Sequence, residues 1–244
     1  MENTIKSWVE GKGRLHFTLI DPDKQSPVEA GGLAKTCESY GTDAIMLGGS
    51  TVEGNIVDET VKAIKNSCSL PVILFPSSAS GVSGSADYVF WMMLMNSMNR
   101  RFLVGEQVKA AQSLSKTHIK PIAMGYIVVS TSSKPTAVER VGDVEKIGEI
   151  DVEKAVAYAL AAQYFGMHCV YLESGSGAEK PVPDSMVSKV KQALDIPVIV
   201  GGGIKNAEYA ESKANAGADV IVSGTVAERN PEDVLKIIKA FKGK

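Results

Sequence analysis

Short apolar runs alternate with segments of helical spacing along nearly the whole chain. The runs are Leu15–Ile20, Asp43–Leu47, Pro71–Phe75, Tyr88–Leu94, Pro121–Val129, Cys169–Leu172, Pro197–Val200 and Val220–Val222, eight in all. Most lack a polar residue at every second position, the pattern of parallel strands covered on both faces by crossover helices. Between them, Val57, Val61 and Ile64 step by four and three. Val152, Val156, Ala159 and Leu160 share one helical face, and Val187, Val190 and Leu194 share another. A last helix is predicted from Asn230 as N-cap and Pro231 at its first position, with Val234, Ile237, Ile238 and Phe241 as its apolar stripe. Asn206 opens a segment that stops at Gly217, and Thr4–Glu10 reads as a short helix before the first strand.

Two stretches interrupt the alternation. Ser77–Ala86 consists of Gly, Ser, Ala and one Val where a third crossover helix is due, which predicts a mobile loop or a degenerate helix. Thr131–Ile150 is a long polar connection after the fifth strand. Eight strand-plus-helix units in 244 residues give about 30 residues each, the size of a (β/α)8 unit, and no linker or charge block splits the chain. The expectation is an α/β fold: one TIM barrel over residues 1–244, with a degenerate third crossover and a phosphate site after strands seven and eight.

Composition narrows the function. With 26 Lys and Arg against 28 Asp and Glu, the net charge of −2 offers no footprint for nucleic acid. The longest apolar run, Tyr88 to Met95, is far too short to span a bilayer, and the N-terminus has no signal-peptide core, so a cytoplasmic location without a transmembrane anchor is expected. Cys37, Cys68 and Cys169 fit neither a disulfide framework nor a zinc site, and His16, His118 and His168 have no metal spacing.

The residues with chemical potential stand just after the strands, where a barrel places its active site. Asp21-Pro22-Asp23-Lys24 puts a carboxylate at the end of strand one, as a metal ligand or as a turn residue. Gly48-Gly49-Ser50-Thr51 follows strand two, and the Ser50 hydroxyl could complete an oxygen shell for Mg²⁺. Gly201-Gly202-Gly203 after strand seven and Gly224-Thr225 after strand eight let backbone N–H groups approach an anion. Strand six adds Tyr171, Leu172, Glu173, Ser174, Gly175, Ser176 and Gly177, which could complete the phosphate cradle. Glu173 beside it is a candidate general base or one half of a structural ion pair, and Tyr126 and Tyr171 could supply phenolic donors. Arg100 and Arg101 could meet a second phosphate or simply open a solvated helix.

Taken together, HFTLIDPDK at 16–24, GTDAIMLGGST at 41–51, GYIVV at 125–129, YLESGSGA at 171–178, PVIVGGGIKN at 197–206 and VSGTVAE at 222–228 resemble the geranylgeranylglyceryl phosphate synthase family. The resemblance implies a Mg²⁺-dependent prenyltransferase that joins a polyprenyl diphosphate to the 3-hydroxyl of sn-glycerol 1-phosphate, the first ether bond of archaeal-type lipids. It implies Asp21 and Ser50 as magnesium ligands, and Tyr171 to Gly177, Gly202, Gly203, Gly224 and Thr225 as the glycerol phosphate site; by their own chemistry Glu173, to orient the hydroxyl or take its proton, and Tyr171 are the candidate catalytic groups. It also implies a homo-oligomer, dimer or hexamer. Leu19 stands where one branch of the family has a phosphate-binding lysine, which favours the larger archaeal-type branch. The alternatives are a phosphate-barrel isomerase of the histidine or tryptophan pathway type, for which strand five lacks a second carboxylate, and a non-catalytic phosphate binder.

Overall fold

The computed structural model describes residues 3–49 and 54–243. Eight parallel strands close into a barrel in chain order: β1 Leu15–Ile20, β2 Ala44–Leu47, β3 Val72–Leu74, β4 Tyr88–Leu94, β5 Lys120–Val128, β6 Cys169–Glu173, β7 Val198–Gly201 and β8 Val220–Ser223. Phe17 pairs with Ala44 on one side and with Val222 on the other, so β1 closes the sheet onto β8. The (β/α)8 barrel expected from the sequence is the fold observed, and its strands fall within a residue or two of the apolar runs.

Side chains alternate across this sheet, because successive residues of a strand point to opposite faces. Phe17, Met46, Ile73, Phe90, Met124 and Tyr171 fill the interior. Their neighbours in sequence pack outward against the helices α2 Pro27–Tyr40, α3 Gly54–Ser67, α4 Glu106–Leu114, α6 Val152–Tyr164, α7 Asp184–Ala193, α8 Ala207–Asn215 and α10 Pro231–Lys242. At the amino end of the barrel lies α1, Thr4–Lys12, capped by Asn3, whose side chain accepts from the Lys6 N–H at 3.0 Å. It buries Ile5 and sets Trp8 edge-on to Phe17 and Tyr88, closing that end. The opposite, carboxyl end stays open.

Both irregular stretches carry local structure. The third crossover holds only a 3-10 turn, Ala79–Gly81, confirming the degenerate helix expected there. It is tied down: Ser83 and Ser85 donate to Asp58 Oδ1 at 2.6 and 2.7 Å, and the Ala79 N–H donates to Glu106 Oε2 at 2.9 Å. With no helix to cover it, the outer face of β4 around Val89 and Trp91 borders a cavity. The Thr131–Ile150 connection contains α5, Ala137–Gly142, started by a reciprocal cap between Thr136 and Glu139, as well as single bridges Ser97 to Val144 and Ser130 to Gly148. Asn206 caps α8 as expected, accepting from the Tyr209 N–H at 2.9 Å. Asn230 instead turns its amide to Asp233 Oδ2 at 2.8 Å.

Two outward positions of β1, His16 and Thr18, are polar and buried. His16 is fully buried, with ring Nδ1 2.8 Å from Thr42 Oγ1 and its backbone N–H donating to Asp43 Oδ2 at 2.9 Å. Lys242 of α10 pairs with the same Asp43 at 2.6 Å. Burial first, and the nearby Lys242 charge second, lower the imidazole pKa to about 3, so the ring is neutral.

Candidate active site

The alternation that buries Cys169 and Tyr171 inside the barrel carries Glu173 inward at the open end. Register places Glu173 between Val128 of β5 and Gly201 of β7. The residue is 6% exposed, and the Gly175 N–H donates to its Oε1 at 2.5 Å. The hydroxyls of Tyr171 and Tyr126 donate to it as well. Burial raises its pKa and these three donors pull it back, leaving a net rise above the ordinary glutamate value. Both phenols are in turn pushed well above their usual pKa by burial and by the Glu173 charge, so they remain donors. Phe75 braces them, stacked on Tyr171 at 5.6 Å and edge-on to Tyr126 at 5.5 Å.

Three glycines at the tips of β2 and β7 make the room for this cluster. A Cβ at Gly201 would overlap the Tyr171 hydroxyl, and one at Gly48 would strike the Phe75 carbonyl. Gly202 has φ +78, and a Cβ there would meet Glu173 Oε1, Ser174 Oγ and the Gly175 N at 2.7 Å. Three loops thereby converge beside Glu173: Gly175-Ser176-Gly177 after β6, Gly202-Gly203 after β7, and Gly224-Thr225 after β8, where α9, Thr225–Arg229, begins. The Ser176 and Thr225 hydroxyls stand 3.4 Å apart across them. Of the other β6 positions singled out in the sequence, Leu172 points outward into the helix-facing core and Ser174 is buried with its hydroxyl donating to the Gly201 carbonyl at 3.4 Å.

Across the opening, Asp21 holds the end of β1. Its Oδ1 accepts from the Asp23 N–H at 3.1 Å, and its Oδ2 pairs with Lys24 at 3.0 Å. Lys24 also reaches Glu228 of α9 at 3.4 Å. Ser50 lies outside the described residues. Among the described residues no three His, Cys, Asp or Glu side chains cluster as a ready-made metal site. His16 sits instead in the polar network beneath β1, and Arg101 is engaged by Glu106 at 2.7 Å.

A cavity of about 650 Å³ connects these parts. It begins at the glycine loops and Asp21, passes Tyr126 and Tyr171, and runs on between Trp91, Met92, Phe102, Ala110 and Val138. Leu19 lines it too, adding apolar surface. The pairing of Lys24 with Glu228 and the tether from Glu106 to Ala79 escaped the sequence reading. Lys24 in the DPDK run was visible, but its second partner is 204 residues away.

Fold and site define the class: a (β/α)8 barrel with a polar, glycine-rich pocket at the carboxyl ends of its strands and a long apolar annex. The chain belongs to the PcrB family, whose model matches residues 6–242. It is 50% identical over 234 residues to the geranylgeranylglyceryl phosphate synthase of Pyrococcus horikoshii, covering 95% of this chain and 91% of the relative. To the enzyme of the same name from Pyrococcus furiosus it is 52% identical over 218 residues, covering 89% and 86%. The crystal structure of (S)-3-O-geranylgeranylglyceryl phosphate synthase from Thermoplasma acidophilum in complex with substrate sn-glycerol-1-phosphate superposes with a TM-score of 0.93 at 43% identity, covering all of both chains. An N-acetylmannosamine-6-phosphate 2-epimerase from Clostridium perfringens, 17% identical with a TM-score of 0.53 over 95% of this chain and 93% of its own, shares the fold alone.

Proposed function

We propose that this protein is a phosphoglycerol geranylgeranyltransferase, joining a polyprenyl diphosphate to the 3-hydroxyl of sn-glycerol 1-phosphate. The observation that carries the reading is a buried carboxylate of raised pKa standing between convergent glycine loops and a long apolar cavity. Membership of a family with a substrate-bound Thermoplasma relative supports it.

The chemistry follows from the residues. Backbone N–H groups of the loops at Gly175–Gly177, Gly202-Gly203 and Gly224-Thr225 hold the glycerol phosphate, which directs its 3-hydroxyl toward Glu173. Tyr126, Tyr171 and Gly175 fix the Glu173 carboxylate in place. Its raised pKa makes it a better base than an exposed carboxylate. The hydroxyl oxygen bonds to C1 of the prenyl chain as the C1–O bond to the diphosphate breaks. The electron pair leaves with diphosphate and the hydroxyl proton passes to Glu173. The apolar cavity holds the chain and excludes water from the reacting carbon.

The departing diphosphate needs positive charge, and the Asp21 pole fits a cation: two carboxylates, Asp21 and Glu228, already share the ammonium of Lys24. Asp21, with Ser50, would hold Mg²⁺, which when bound supplies charge to the leaving group. The three free thiols, two of them buried, suit a reducing cytoplasm. No described helix is long and apolar enough to cross a membrane.

Incubating the protein with Mg²⁺, glycerol 1-phosphate and radiolabelled prenyl diphosphates of several lengths is expected to give an organic-extractable phosphorylated ether. Absence of that product at every chain length would overturn the proposal. Homo-oligomer formation belongs to the same reading. It is supported by Val104 and Val108, one turn apart and 37% and 64% exposed. Val108→Asp should lower the mass seen by light scattering, and an unchanged mass would move the interface elsewhere.

A further inference from the structure

The Lys24 ammonium occupies an unusual position. It lies 3.0 Å from Asp21 Oδ2 and 3.4 Å from Glu228 Oε2, bridging the first strand's tip to a helix at the far end of the chain. Its own side chain is 48% exposed, whereas the two carboxylates are only 19% and 14% exposed. The acids are therefore held by the scaffold, and the lysine, at the rim with a flexible four-carbon stem, is the part free to move. Burial works to lower its pKa, but hydrogen bonding to Asp21 and the charges of Glu228 and Asp21 outweigh it and raise the value, so it stays charged. Lys24, Asp21 and Glu228 all line the same cavity.

We propose that Lys24 is an exchangeable counter-ion of this pole, neutralising Asp21 until a divalent cation replaces it there, whereupon Glu228 keeps the released ammonium facing the diphosphate. The inference deepens the proposed function and rests on its assignment of Asp21 as a cation ligand. The physics is a competition for one carboxylate oxygen. A lysine on Asp21 must be displaced before that oxygen can coordinate, so it lowers the apparent affinity of the ion. Once displaced, the same ammonium adds a point charge to diphosphate recognition, the role lysines take at phosphates. Glu228 is a positioning residue here: without it, Asp21 is the one anionic partner left to the ammonium among the described residues.

The test reads metal and pyrophosphate binding directly, with no prenyl substrate and no turnover. Mn²⁺ binding is followed by electron paramagnetic resonance, and inorganic pyrophosphate binding in saturating Mn²⁺ by calorimetry. Thermal denaturation confirms that each variant is folded. Lys24→Met should bind Mn²⁺ about tenfold more tightly than the unchanged protein, yet bind pyrophosphate more weakly. Glu228→Gln should weaken Mn²⁺ binding severalfold, because the ammonium then rests on Asp21 alone. Asp21→Asn should abolish Mn²⁺ binding in either background. Unchanged or weaker Mn²⁺ binding in Lys24→Met overturns the exchange, as does failure of the unchanged protein to bind Mn²⁺. Tighter Mn²⁺ binding with unchanged pyrophosphate affinity overturns the second half of the proposal. Correct exchange behaviour without any ether product would instead refute the proposed function and leave the exchange standing.

Discussion

Glu173 combines two opposed demands: it must be ionised to take a proton, yet it is buried. Its raised pKa means the ionised fraction falls away at a higher pH than for an exposed glutamate, so the acidic limb of the rate profile should lie above the usual carboxylate range. Tyr126 donates to the charged form and therefore favours it. Removing that donor in Tyr126→Phe should move the limb to still higher pH, measured as kcat/KM against pH; a shift downward would contradict the role assigned to the phenol. Glu173→Gln should cost about 10²–10⁴-fold in kcat with glycerol 1-phosphate affinity by calorimetry little changed. Much of this centre was legible in the sequence. A carboxylate two positions beyond Tyr171 on an apolar strand faces inward by simple alternation, and Tyr126 was visible as a phenolic donor. That both phenols converge on one carboxylate was not legible, because it depends on the register of β5 against β6.

Among the elements, the glycine loops differ in what each glycine does. Gly177 has φ +75 with nothing within 4 Å of a Cβ, so Gly177→Ala should cost about 1–2 kcal/mol of backbone strain by urea denaturation and little rate. Gly202 has a similar φ but abuts Glu173, Ser174 and the Gly175 backbone. Gly202→Ala should add roughly 1–3 kcal/mol of overpacking and lower kcat by displacing the base. Equal effects of the two substitutions would show that the close approach to Glu173 is unimportant. The third crossover teaches a related lesson. Its Gly and Ser content correctly signalled the missing helix, but not its hydrogen bonds to Asp58 and Glu106, which come from other elements. The uncovered face of β4 then becomes cavity wall, so a local defect in helix-forming sequence becomes room for a chain-like ligand.

For the whole molecule, the barrel's stability should carry the signature of His16. Its folded pKa of about 3 lies below the unfolded value of 6.5, so between these limits the unfolded chain binds more protons. The contribution is complete above about pH 6.5 and is lost as pH falls toward about 3, at up to about 1.4 kcal/mol per pH unit. Glu173 acts in the opposite sense, since its folded pKa is raised, and the difference between unchanged protein and His16→Gln isolates the histidine. As pH is lowered from 7 to 4, urea midpoints should fall more steeply for the unchanged protein than for His16→Gln; parallel curves would mean that the imidazole is not held neutral. The sequence by itself determined the number and order of strands, the direction of their side chains and the glycine-rich loops at their tips, because periodicity and turn chemistry are properties of neighbouring residues. Only the tertiary structure decided that Lys24 meets Glu228 across 204 positions and that Lys242 stands over His16 and Asp43. Burial and charge depend on what packs nearby in space, and in a closed barrel those partners come from opposite ends of the chain.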